Sequence, residues 1–444
     1  MYFFYSAFLF VYFLALLPAT AYSVWKHGKP VGSLRERLGW LPCGVSCQRQ
    51  RSIWIHAVSV GEVLSVRPLI LVLRKTYPEY RLVMSTTTVT GQRVARKFGD
   101  ELDAVFYAPF DFPPIVARTL DCVSPELLLI VDTEIWPNLF RGCRRRGVRV
   151  IIVNGRMSDR SFRGYRLVRR FMQRVLDDVD CICVQTERWA RRFIDIGADS
   201  ARVTVTGNLK YDAVSTPTRD ISHHDGDQVI ILFSFARSRV VLIAASTLQG
   251  EEEPVLRAFN RVRKTDPDAL LIVAPRHPER FNEALECAKA FGCRVQFRST
   301  MLSGIVPDAT VLVLDTIGEL GRLFQIASVV FVGGSIVAAG GHNLLEPAAF
   351  GKAIVVGPHM ENFLEVTAQF LNKRAVVQVQ TADELEDVLV DLMSDGVQRA
   401  NLGAAAGALV EAHCGATSRC IDVISEYIES RPNRSCITEA HSKL

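Results

Sequence analysis

The sequence lacks the short motifs by which several common classes of enzyme are recognised. It contains no G-x-G-x-x-G dinucleotide fingerprint, no G-x-x-x-x-G-K-[ST] phosphate loop and no G-x-S-x-G nucleophile elbow. No group of His, Cys, Asp and Glu has the spacing of metal ligands, so a metal site is not expected. Low-complexity tracts and repeats with a period of about 20–50 residues are also absent, which excludes a repeat architecture.

The composition is otherwise that of an ordinary globular protein. Of 444 residues, 49% are hydrophobic and 22% are charged, which excludes a disordered or fibrous chain and supplies enough apolar residues for two full cores. The 52 basic and 47 acidic side chains leave a formal charge of only +5, so a preference for anions must come from local clustering. The eleven cysteines are odd in number and form no C-x-x-C pair, which favours reduced thiols in a cytosolic setting over zinc ligands or a disulfide framework.

The first 25 residues carry no charged side chain and are dominated by Phe and Leu. A helix needs about twenty apolar residues to cross the hydrocarbon core of a bilayer, and this segment is just long enough. It is either a signal peptide cleaved near Ala19-Thr20-Ala21 or an uncleaved anchor followed by the positive charges of Lys26 and Lys29. Because no positive side chain precedes the apolar stretch, we expect a membrane-anchor helix over residues 1–25, with the bulk of the protein on the cytoplasmic side. A partly inserted helix is a further alternative.

Beyond this segment the sequence alternates between short apolar runs and amphipathic segments, the pattern of an α/β protein. Residues 214–228 are polar and rich in turn residues, and we place a linker there between domains at 26–213 and 229–430. A polar tail is expected at 431–444. Ligand-binding residues should follow the strands, because the carboxyl ends of parallel strands face the ligand. The predicted strands are 52–57, 81–85, 126–132, 148–154, 180–185 and 203–206, then 240–246, 269–274, 309–314, 329–333, 353–356 and 375–379.

Carboxylates follow two predicted strands of the first domain. Glu62 lies at the start of a helix just after the first strand, where its oxygens could remove a proton from a substrate hydroxyl. The same residue completes a Ser59-x-x-Glu62 capping box, in which the carboxylate only bonds the backbone of Ser59. Asp132 and Glu134 follow another strand. Acidic groups from two different strand ends favour acid–base or cation-handling chemistry, although either could simply compensate a helix dipole.

Arginine is concentrated between residues 141 and 170, where eleven arginines accompany a single acidic residue, Asp159. A solvated helix face is the ordinary interpretation of such a run. In a chain with an apolar N-terminus, the asymmetry favours a surface that faces phosphates or anionic lipid. Nucleic acid is not expected as a partner, because stacking aromatic side chains are few and the chain carries an anchor.

Three loops after predicted strands of the second domain carry residues suited to a nucleotide. Arg276 and His277 follow one strand, residues 315–320 follow another, and Glu346 begins a helix where it is suited to bind a ribose diol. A glycine-rich strand end provides backbone amides that are predicted to approach a phosphate, at Gly333, Gly334 and Ser335. Because these loops converge at one sheet edge, they favour a nucleotide-sugar site.

These motifs resemble those of the 3-deoxy-D-manno-octulosonic acid (Kdo) transferases of lipopolysaccharide biosynthesis. The matching segments occur in order along both domains: Ser59-Val-Gly-Glu62, Thr133-Glu-Ile-Trp-Pro-Asn138, Gly207-Asn-Leu-Lys210, Pro275-Arg-His-Pro-Glu-Arg-Phe281, Asp315-Thr-Ile-Gly-Glu-Leu320, Phe331-Val-Gly-Gly-Ser335 and Gly340-Gly-His-Asn343 with Glu346. The resemblance implies a GT-B glycosyltransferase fold, with two Rossmann-like parallel-sheet domains facing a cleft. The first would bind the acceptor and the second CMP-Kdo.

The resemblance also implies the reaction. Kdo would pass from CMP-Kdo to the lipid A precursor lipid IVA, with inversion and without a metal. No cofactor is implied, because CMP-Kdo is itself the donor substrate. The enzyme would act at the inner (cytoplasmic) membrane, with its catalytic domains on the cytoplasmic side and an anionic membrane surface as a partner.

Roles for individual residues follow from the same resemblance. Glu62 corresponds to the proton acceptor, and we expect it to need positioning rather than a raised pKa. Glu134 and Lys210 correspond to positions that stabilise the transition state. The positions that match CMP-binding residues are Pro275, Arg276, Ile317, Gly318, Glu319, Asn343, Leu344, Leu345 and Glu346. Leu248 stands where the family often has histidine and Leu344 where it often has proline, and we expect ribose binding by Glu346 to survive the second change.

Two other functions remain open on the sequence alone. Another GT-B glycosyltransferase or a nucleotide-sugar epimerase would share the fold, and such enzymes generally use UDP-sugars. A membrane-tethered protein that binds anionic lipid without catalysis would explain the apolar N-terminus and the arginines. The presence of both Glu62 and Arg276 favours an enzyme.

Overall fold

Two parallel sheets dominate the computed structural model, which describes residues 1–27, 32–46, 50–215, 229–302, 305 and 307–429, without the side chains of residues 16–27 and 215. Within these residues each sheet has seven strands, and neighbouring strands run parallel. Strands such as Leu127–Val131 are continuous apolar runs that are fully buried, as parallel strands covered by helices are. The predicted α/β class is confirmed.

The first sheet contains strands β1 (Ser52–His56), β2 (Arg81–Thr86), β3 (Ala104–Tyr107), β4 (Leu127–Val131), β5 (Arg149–Gly155), β6 (Cys181–Val184) and β7 (Val203–Val205). Their spatial order is β3-β2-β1-β4-β5-β6-β7. Alternate residues of each strand enter two different clusters of buried side chains. Trp54 belongs to one cluster, and Ile53 and Ile55 belong to the other. Each face of the sheet therefore carries its own core.

The second sheet contains β8 (Val241–Thr247), β9 (Leu270–Pro275), β10 (Val295–Phe297), β11 (Val311–Val313), β12 (Val329–Val332), β13 (Ala353–Val356) and β14 (Val377–Gln378). The order is β10-β11-β9-β8-β12-β13-β14. The sequence predicted neither β3 nor β10. Both are short strands at the edge of a sheet, and β10 is only half-buried along its length.

Helices connect the strands. Those before β8 are α1 (Tyr2–His27), α2 (Leu34–Arg37), α3 (Val60–Thr76), α4 (Val89–Arg96), α5 (Pro113–Val123), α6 (Pro137–Arg145), α7 (Asp159–Leu167), α8 (Arg169–Leu176), α9 (Glu187–Asp195) and α10 (Leu209–Ser215). Those after β8 are α11 (Glu252–Val262), α12 (Phe281–Ala290), α13 (Leu320–Leu323), α14 (Leu345–Ala349), α15 (Leu364–Asn372), α16 (Ala382–Ser394), α17 (Gly396–His413) and α18 (Ala416–Glu429).

The chain divides into two compact units, Met1–Ala213 with Cys414–Leu444, and Val214–His413. The second unit does not extend to residue 430 as expected, because α18 packs on the first. Its residues Cys420, Ile424 and Ile428 enter the core cluster of the first sheet, and the Arg419 guanidinium donates to the Thr206 carbonyl (2.7 Å). Most of the predicted linker and all of the predicted polar tail lie outside the described residues.

One side of the first half of α1 packs against the rest of the first unit. The Tyr5 hydroxyl donates to the Asp111 carboxylate (2.9 Å), and the Tyr2 hydroxyl donates to Asp178 (2.9 Å). The opposite side is exposed and apolar, and it includes Phe3, Phe4, Phe8, Val11 and Tyr12. Among the described residues, no helix is both long enough and apolar enough to cross a membrane.

Candidate active site

Glu62 stands in the first turn of α3, just beyond the carboxyl end of β1. One carboxylate oxygen accepts a hydrogen bond from the Val58 amide (2.7 Å), and the other accepts one from the Ser59 hydroxyl (2.8 Å). The arrangement is not the reciprocal capping box, because the Ser59 side chain makes no bond to the helix amides. Both oxygens keep lone pairs, since each can accept two hydrogen bonds. The carboxylate is therefore fixed in place and still able to accept a proton.

The pKa of Glu62 is raised from 4.5 to about 7. Desolvation by burial is the largest cause, and the negative charges of Asp132 and Glu134 add to it. The bonds from Val58 and Ser59 oppose the rise without cancelling it. The expectation of an ordinary pKa was therefore wrong. A pKa near neutral suits a general base, because such a group is both available as a base and able to hold the proton that it removes.

Asp132 supplies a fixed negative charge beside Glu62. It follows β4 in the left-handed backbone region (φ 62°), and only 5% of it is exposed. The Asn154 side-chain amide donates to one carboxylate oxygen (2.7 Å), and the Arg156 guanidinium donates to the other (2.9 Å). A left-handed non-glycine residue costs about 1–3 kcal/mol, and the two charge-assisted bonds offset that cost.

Glu134 lies in the turn between β4 and α6, where the Trp136 indole donates to its carboxylate (3.0 Å). Burial raises the pKa of Glu134, and the charge of Asp132 raises it further, while the bond from Trp136 lowers it. The indole is held edge-on against the His56 ring, with 5.3 Å between the ring centres. Glu134 therefore shares with Glu62 the repulsion of Asp132.

His56 is a supporting residue rather than a base. Burial lowers its pKa to about 4, so the ring is neutral at physiological pH. Its Nδ1 lies 2.8 Å from the Ser85 hydroxyl oxygen, which also accepts a hydrogen bond from the Trp54 indole. Because that oxygen has one donor already, the hydroxyl proton is free to be donated to Nδ1.

Lys210 is positioned through Asn154. The Leu209 amide, at the start of α10, donates to the Asn154 side-chain oxygen (3.0 Å), while the nitrogen of the same side chain donates to Asp132. Asn154 also adopts the left-handed region (φ 59°). One side chain thus ties the carboxylate after β4 to the helix that carries Lys210. Sequence reasoning missed Asn154 because a strand-end asparagine has no distinctive spacing.

In the second unit, Glu346 is a half-buried residue in the first turn of α14. One of its oxygens accepts a hydrogen bond from the Asn343 side-chain amide (2.9 Å), and the Leu345 amide donates to the Asn343 oxygen (3.1 Å). Burial raises the pKa of Glu346, while Asn343 and the positive charge of Arg276 lower it. The second oxygen lies 3.7 Å from the position that a Cβ would occupy on Gly321, so it faces the first turn of α13, directly after the loop that follows β11.

That loop carries three of the residues matched to CMP binding. Ile317 is 81% exposed, and Gly318 adopts a positive φ of 97° that favours glycine. The Glu319 carboxylate accepts from the Thr316 hydroxyl (2.7 Å) and pairs with the Arg298 guanidinium (2.9 Å). The structure therefore places this loop and the loop at Asn343–Glu346 close together, as predicted for one sheet edge. Leu344 and Leu345 are buried beneath them.

Arg276 follows β9, whose last residue is Pro275, and its amide donates to the Thr247 carbonyl (3.0 Å). Its side chain is exposed, and its charge lowers the pKa of both His342 and Glu346. Burial and this charge bring the pKa of His342 to about 4, so that ring is neutral. This edge of the second sheet thus combines the positive charge of Arg276 with the carboxylate of Glu346. One oxygen of that carboxylate accepts no hydrogen bond from the described residues.

The glycine-rich strand end does not offer open amides. The Glu251 carboxylate accepts hydrogen bonds from the amides of Gly334 (2.7 Å) and Ser335 (3.0 Å), and the Gly333 amide donates to the Ala245 carbonyl (2.8 Å). Glu251 is fully buried and also accepts from Ile336 (3.0 Å). The predicted phosphate contact at Gly333, Gly334 and Ser335 is corrected accordingly, because an internal carboxylate already supplies the negative charge. Sequence reasoning missed Glu251, which lies far from this loop in the chain.

Among the described residues, no group of three or more His, Cys, Asp and Glu side chains is close enough to hold a metal ion. The geometry offers acid–base and electrostatic chemistry. The first unit presents a carboxylate of raised pKa. The second presents an arginine and a half-buried carboxylate, one oxygen of which accepts no hydrogen bond from the described residues. Two such Rossmann-like units define a protein of the GT-B type, which is the class of many enzymes that act on nucleotide-sugars.

Comparison with solved structures supports this fold. The chain is similar to a putative UDP-N-acetylglucosamine 2-epimerase from Listeria monocytogenes, with a TM-score of 0.57 and 15% identity over 86% of this chain and 97% of that chain. At this level of identity the likeness shows the shared fold.

Sequence comparison shows the family. Residues 32–213 match the family model described as 3-deoxy-D-manno-octulosonic-acid transferase (kdotransferase). The chain is 34% identical to a 3-deoxy-D-manno-octulosonic acid transferase of Haemophilus influenzae, over 89% of this chain and 91% of the relative. It is 30% identical to one of Bordetella pertussis, over 94% and 99%. The chain belongs to the 3-deoxy-D-manno-octulosonic acid transferase family, as the sequence motifs predicted, and is a glycosyltransferase of lipopolysaccharide biosynthesis.

Proposed function

We propose that the protein transfers Kdo from CMP-Kdo to a hydroxyl group of lipid IVA, the lipid A precursor, with inversion and without a metal or a cofactor. The observation that carries this proposal is the Glu62 carboxylate. It is half-buried, held by two hydrogen bonds, and has a pKa near neutral beside two other acidic groups. Membership of the family indicates that Kdo is the sugar transferred, and the Glu62 carboxylate is the base that the reaction requires.

In the proposed step, Glu62 removes the proton from the primary hydroxyl of the acceptor as that oxygen attacks the anomeric carbon of Kdo. The bond between that carbon and the CMP phosphate oxygen breaks, and its electron pair leaves with CMP. Attack from the face opposite the leaving group inverts the configuration. The proton then passes from Glu62 to solvent, which restores the base.

The charges that develop during this step explain the roles proposed for Arg276, Lys210 and Glu134. Negative charge grows on the phosphate as the bond breaks, and the side chains of Arg276 and Lys210 are suited to stabilise it. Positive charge grows on the anomeric carbon, and the Glu134 carboxylate is suited to stabilise that charge. Arginine can also bind a phosphate through two parallel hydrogen bonds.

The nucleoside of the donor is assigned to the edge of the second sheet. The Glu346 oxygen that accepts no hydrogen bond from the described residues is suited to accept one from a ribose hydroxyl. Residues 317–319 and Pro275 complete the proposed CMP site. The backbone amides at 333–335 are left out of this assignment, since they are paired within the protein.

The proposed location is the inner membrane, with both units on the cytoplasmic side. The exposed apolar side of α1 supports this proposal, because three of its phenylalanines, Phe3, Phe4 and Phe8, are 78%, 74% and 69% exposed. Buried about 5–10 Å deep at the lipid interface, such a face gains free energy without spanning the bilayer. Arginines near an anionic surface contribute about 1 kcal/mol each.

The test is a transfer assay with CMP-Kdo and tetraacylated lipid IVA, in which mass spectrometry reads the Kdo added to the lipid. A matched control is Glu384→Gln, because Glu384 occupies the same position in the first turn of α16 and accepts from the Gln380 amide at the same distance, 2.7 Å. We expect Glu62→Gln to abolish transfer and Glu384→Gln to leave it unchanged. Equal activity of the two variants would remove Glu62 from the mechanism.

Nucleotide preference separates this proposal from its alternatives. A thermal-shift titration is expected to show stabilisation by CMP and little by UDP. Preference for UDP would favour a different GT-B transferase or an epimerase. Lipid binding without any transfer would favour a non-catalytic protein.

A further inference from the structure

A cavity of about 340 Å³ lies between α1, α5 and α6 in the first unit. This volume lies within the range of about 300–1,000 Å³ that is typical of small-molecule sites. Its apolar wall includes Phe3 of α1 with Val116 and Ala117 of α5. Its polar wall comes from α6 and includes Arg141 and Arg145. The cavity is distinct from the carboxylates and loops described above.

The two arginines are neighbours on one face of α6, since residues four apart in a helix lie one above the other. Among the described residues neither of them forms an ion pair, whereas the nearby Arg146 is paired with Asp121 (2.8 Å). The Arg141 guanidinium lies 4.3 Å from the centre of the Tyr2 ring, which orients it without neutralising its charge. Of the three arginines that line the cavity, Arg146 is therefore paired, and Arg141 and Arg145 form no ion pair with any residue that the structure describes.

The apolar wall continues onto the surface. Phe3 lines the cavity and is also 78% exposed, and the neighbouring exposed side chains of α1 are aromatic. Val116, in contrast, is buried at the base. A ligand with an anionic group against α6 and an apolar chain along Phe3 would make favourable contacts with both the polar and the apolar wall. A free anion would use only one of them.

We propose that this cavity binds the phosphate group of a membrane lipid, through Arg141 and Arg145, with the first methylenes of its acyl chain against Phe3 and Val116. The proposal rests on the membrane association assigned above and names the site through which one lipid is recognised. Inorganic phosphate is the other source of the same chemistry, and it would lack the apolar contacts.

The test is calorimetric titration of the intact protein with dihexanoyl phosphatidic acid below its critical micelle concentration, in parallel with inorganic phosphate. We expect saturable binding of the lipid, and inorganic phosphate is expected to bind at least about tenfold more weakly, because two or more buried methylenes are worth that much. Arg145→Gln is expected to weaken lipid binding about tenfold or more, since it removes a hydrogen bond between charged groups. Ala117→Leu is expected to weaken it similarly by filling the cavity.

Arg144→Gln is the matched control, because Arg144 is the adjacent residue of α6, is exposed and does not line the cavity. It removes the same charge and is expected to leave lipid binding within about twofold of the original, since it removes no direct contact. Equal weakening by Arg144→Gln and Arg145→Gln would overturn the site in favour of diffuse electrostatics. Three other results would each overturn the site as well. They are unchanged lipid binding by Ala117→Leu, an affinity for inorganic phosphate equal to that for the lipid, and the absence of saturable lipid binding.

Kdo transfer to acceptor dispersed in detergent, measured on the same preparations, separates this proposal from the proposed function. Transfer without saturable lipid binding overturns the cavity site alone. Lipid binding that is sensitive to Arg145→Gln, without transfer, overturns the proposed function alone.

Discussion

Replacing Glu62 by glutamine is expected to change activity and stability in opposite directions. A glutamine side chain has the same shape and can still accept a hydrogen bond from the Val58 amide, which now lies 2.7 Å from the carboxylate. It cannot take up a proton at neutral pH. Since a positioned general base contributes about a hundredfold to ten-thousandfold, turnover is expected to fall by that factor.

The magnitude of the stability change follows from the raised pKa. Between 4.5 and about 7, the folded protein holds a proton on Glu62 that the unfolded chain has released. The free energy of unfolding therefore falls as pH rises through that window, and the loss is complete above it. At about 1.4 kcal/mol per pH unit, the ionised carboxylate costs about 3 kcal/mol. A neutral glutamine avoids this cost.

The assay is urea denaturation of both forms at two pH values. Near pH 8, Glu62→Gln is expected to be more stable than the original by up to about 3 kcal/mol, and near pH 4 the two are expected to be equal, because Glu62 is then protonated in both folded and unfolded chains. The Glu384→Gln control is expected to show no gain at either pH.

The pH profile of transfer provides the second readout. The rate is expected to fall about tenfold for each pH unit below about 7, because only ionised Glu62 can accept the proton. If Glu62→Gln gains no stability near pH 8, or if the rate of the original enzyme is flat across pH 6 to 8, Glu62 does not have the raised pKa assigned to it.

Three further predictions concern other parts of the structure. Tyr5→Phe removes one bond to the buried Asp111 carboxylate and should lower the free energy of unfolding by about 1.5 kcal/mol, while Tyr12→Phe, on the exposed side of α1, should not. Glu346→Ala should weaken CMP binding about tenfold to a hundredfold in calorimetry, and unchanged affinity would contradict its assignment to the ribose. Glu251→Gln should lower the free energy of unfolding by about 3 kcal/mol in urea denaturation, because the new side-chain amide would face backbone donors. Glu253→Gln, at an exposed neighbouring residue, should leave that free energy unchanged.

The alternation of apolar runs and helical segments was sufficient to predict the α/β class and most of the strands. The two strands that were missed, β3 and β10, lie at sheet edges. β3 has only four residues, and β10 has only three and contains Gln296, so neither has the longer apolar run by which central parallel strands are recognised. The return of α18 to the first unit was also missed. Its amphipathic pattern shows that one face is buried and does not show against which unit it packs.

Sequence spacing identified Glu62 and Glu134 but not the electrostatics that connect them. The raised pKa of Glu62 depends on burial and on the charge of Asp132, and both arise from three-dimensional placement. Glu251 illustrates the same limit. Glycines at a strand end indicate available amides, and only the structure shows that a carboxylate from the loop after β8 has taken them.

The role of Glu62 as the base of Kdo transfer is tested most directly by a parallel assay of Kdo transfer and CMP affinity on the original protein and Glu62→Gln. We expect that the original adds Kdo from CMP-Kdo to lipid IVA, whereas the variant binds CMP with unchanged affinity and yields essentially no product. Product formation by the variant at a rate close to the original would contradict it.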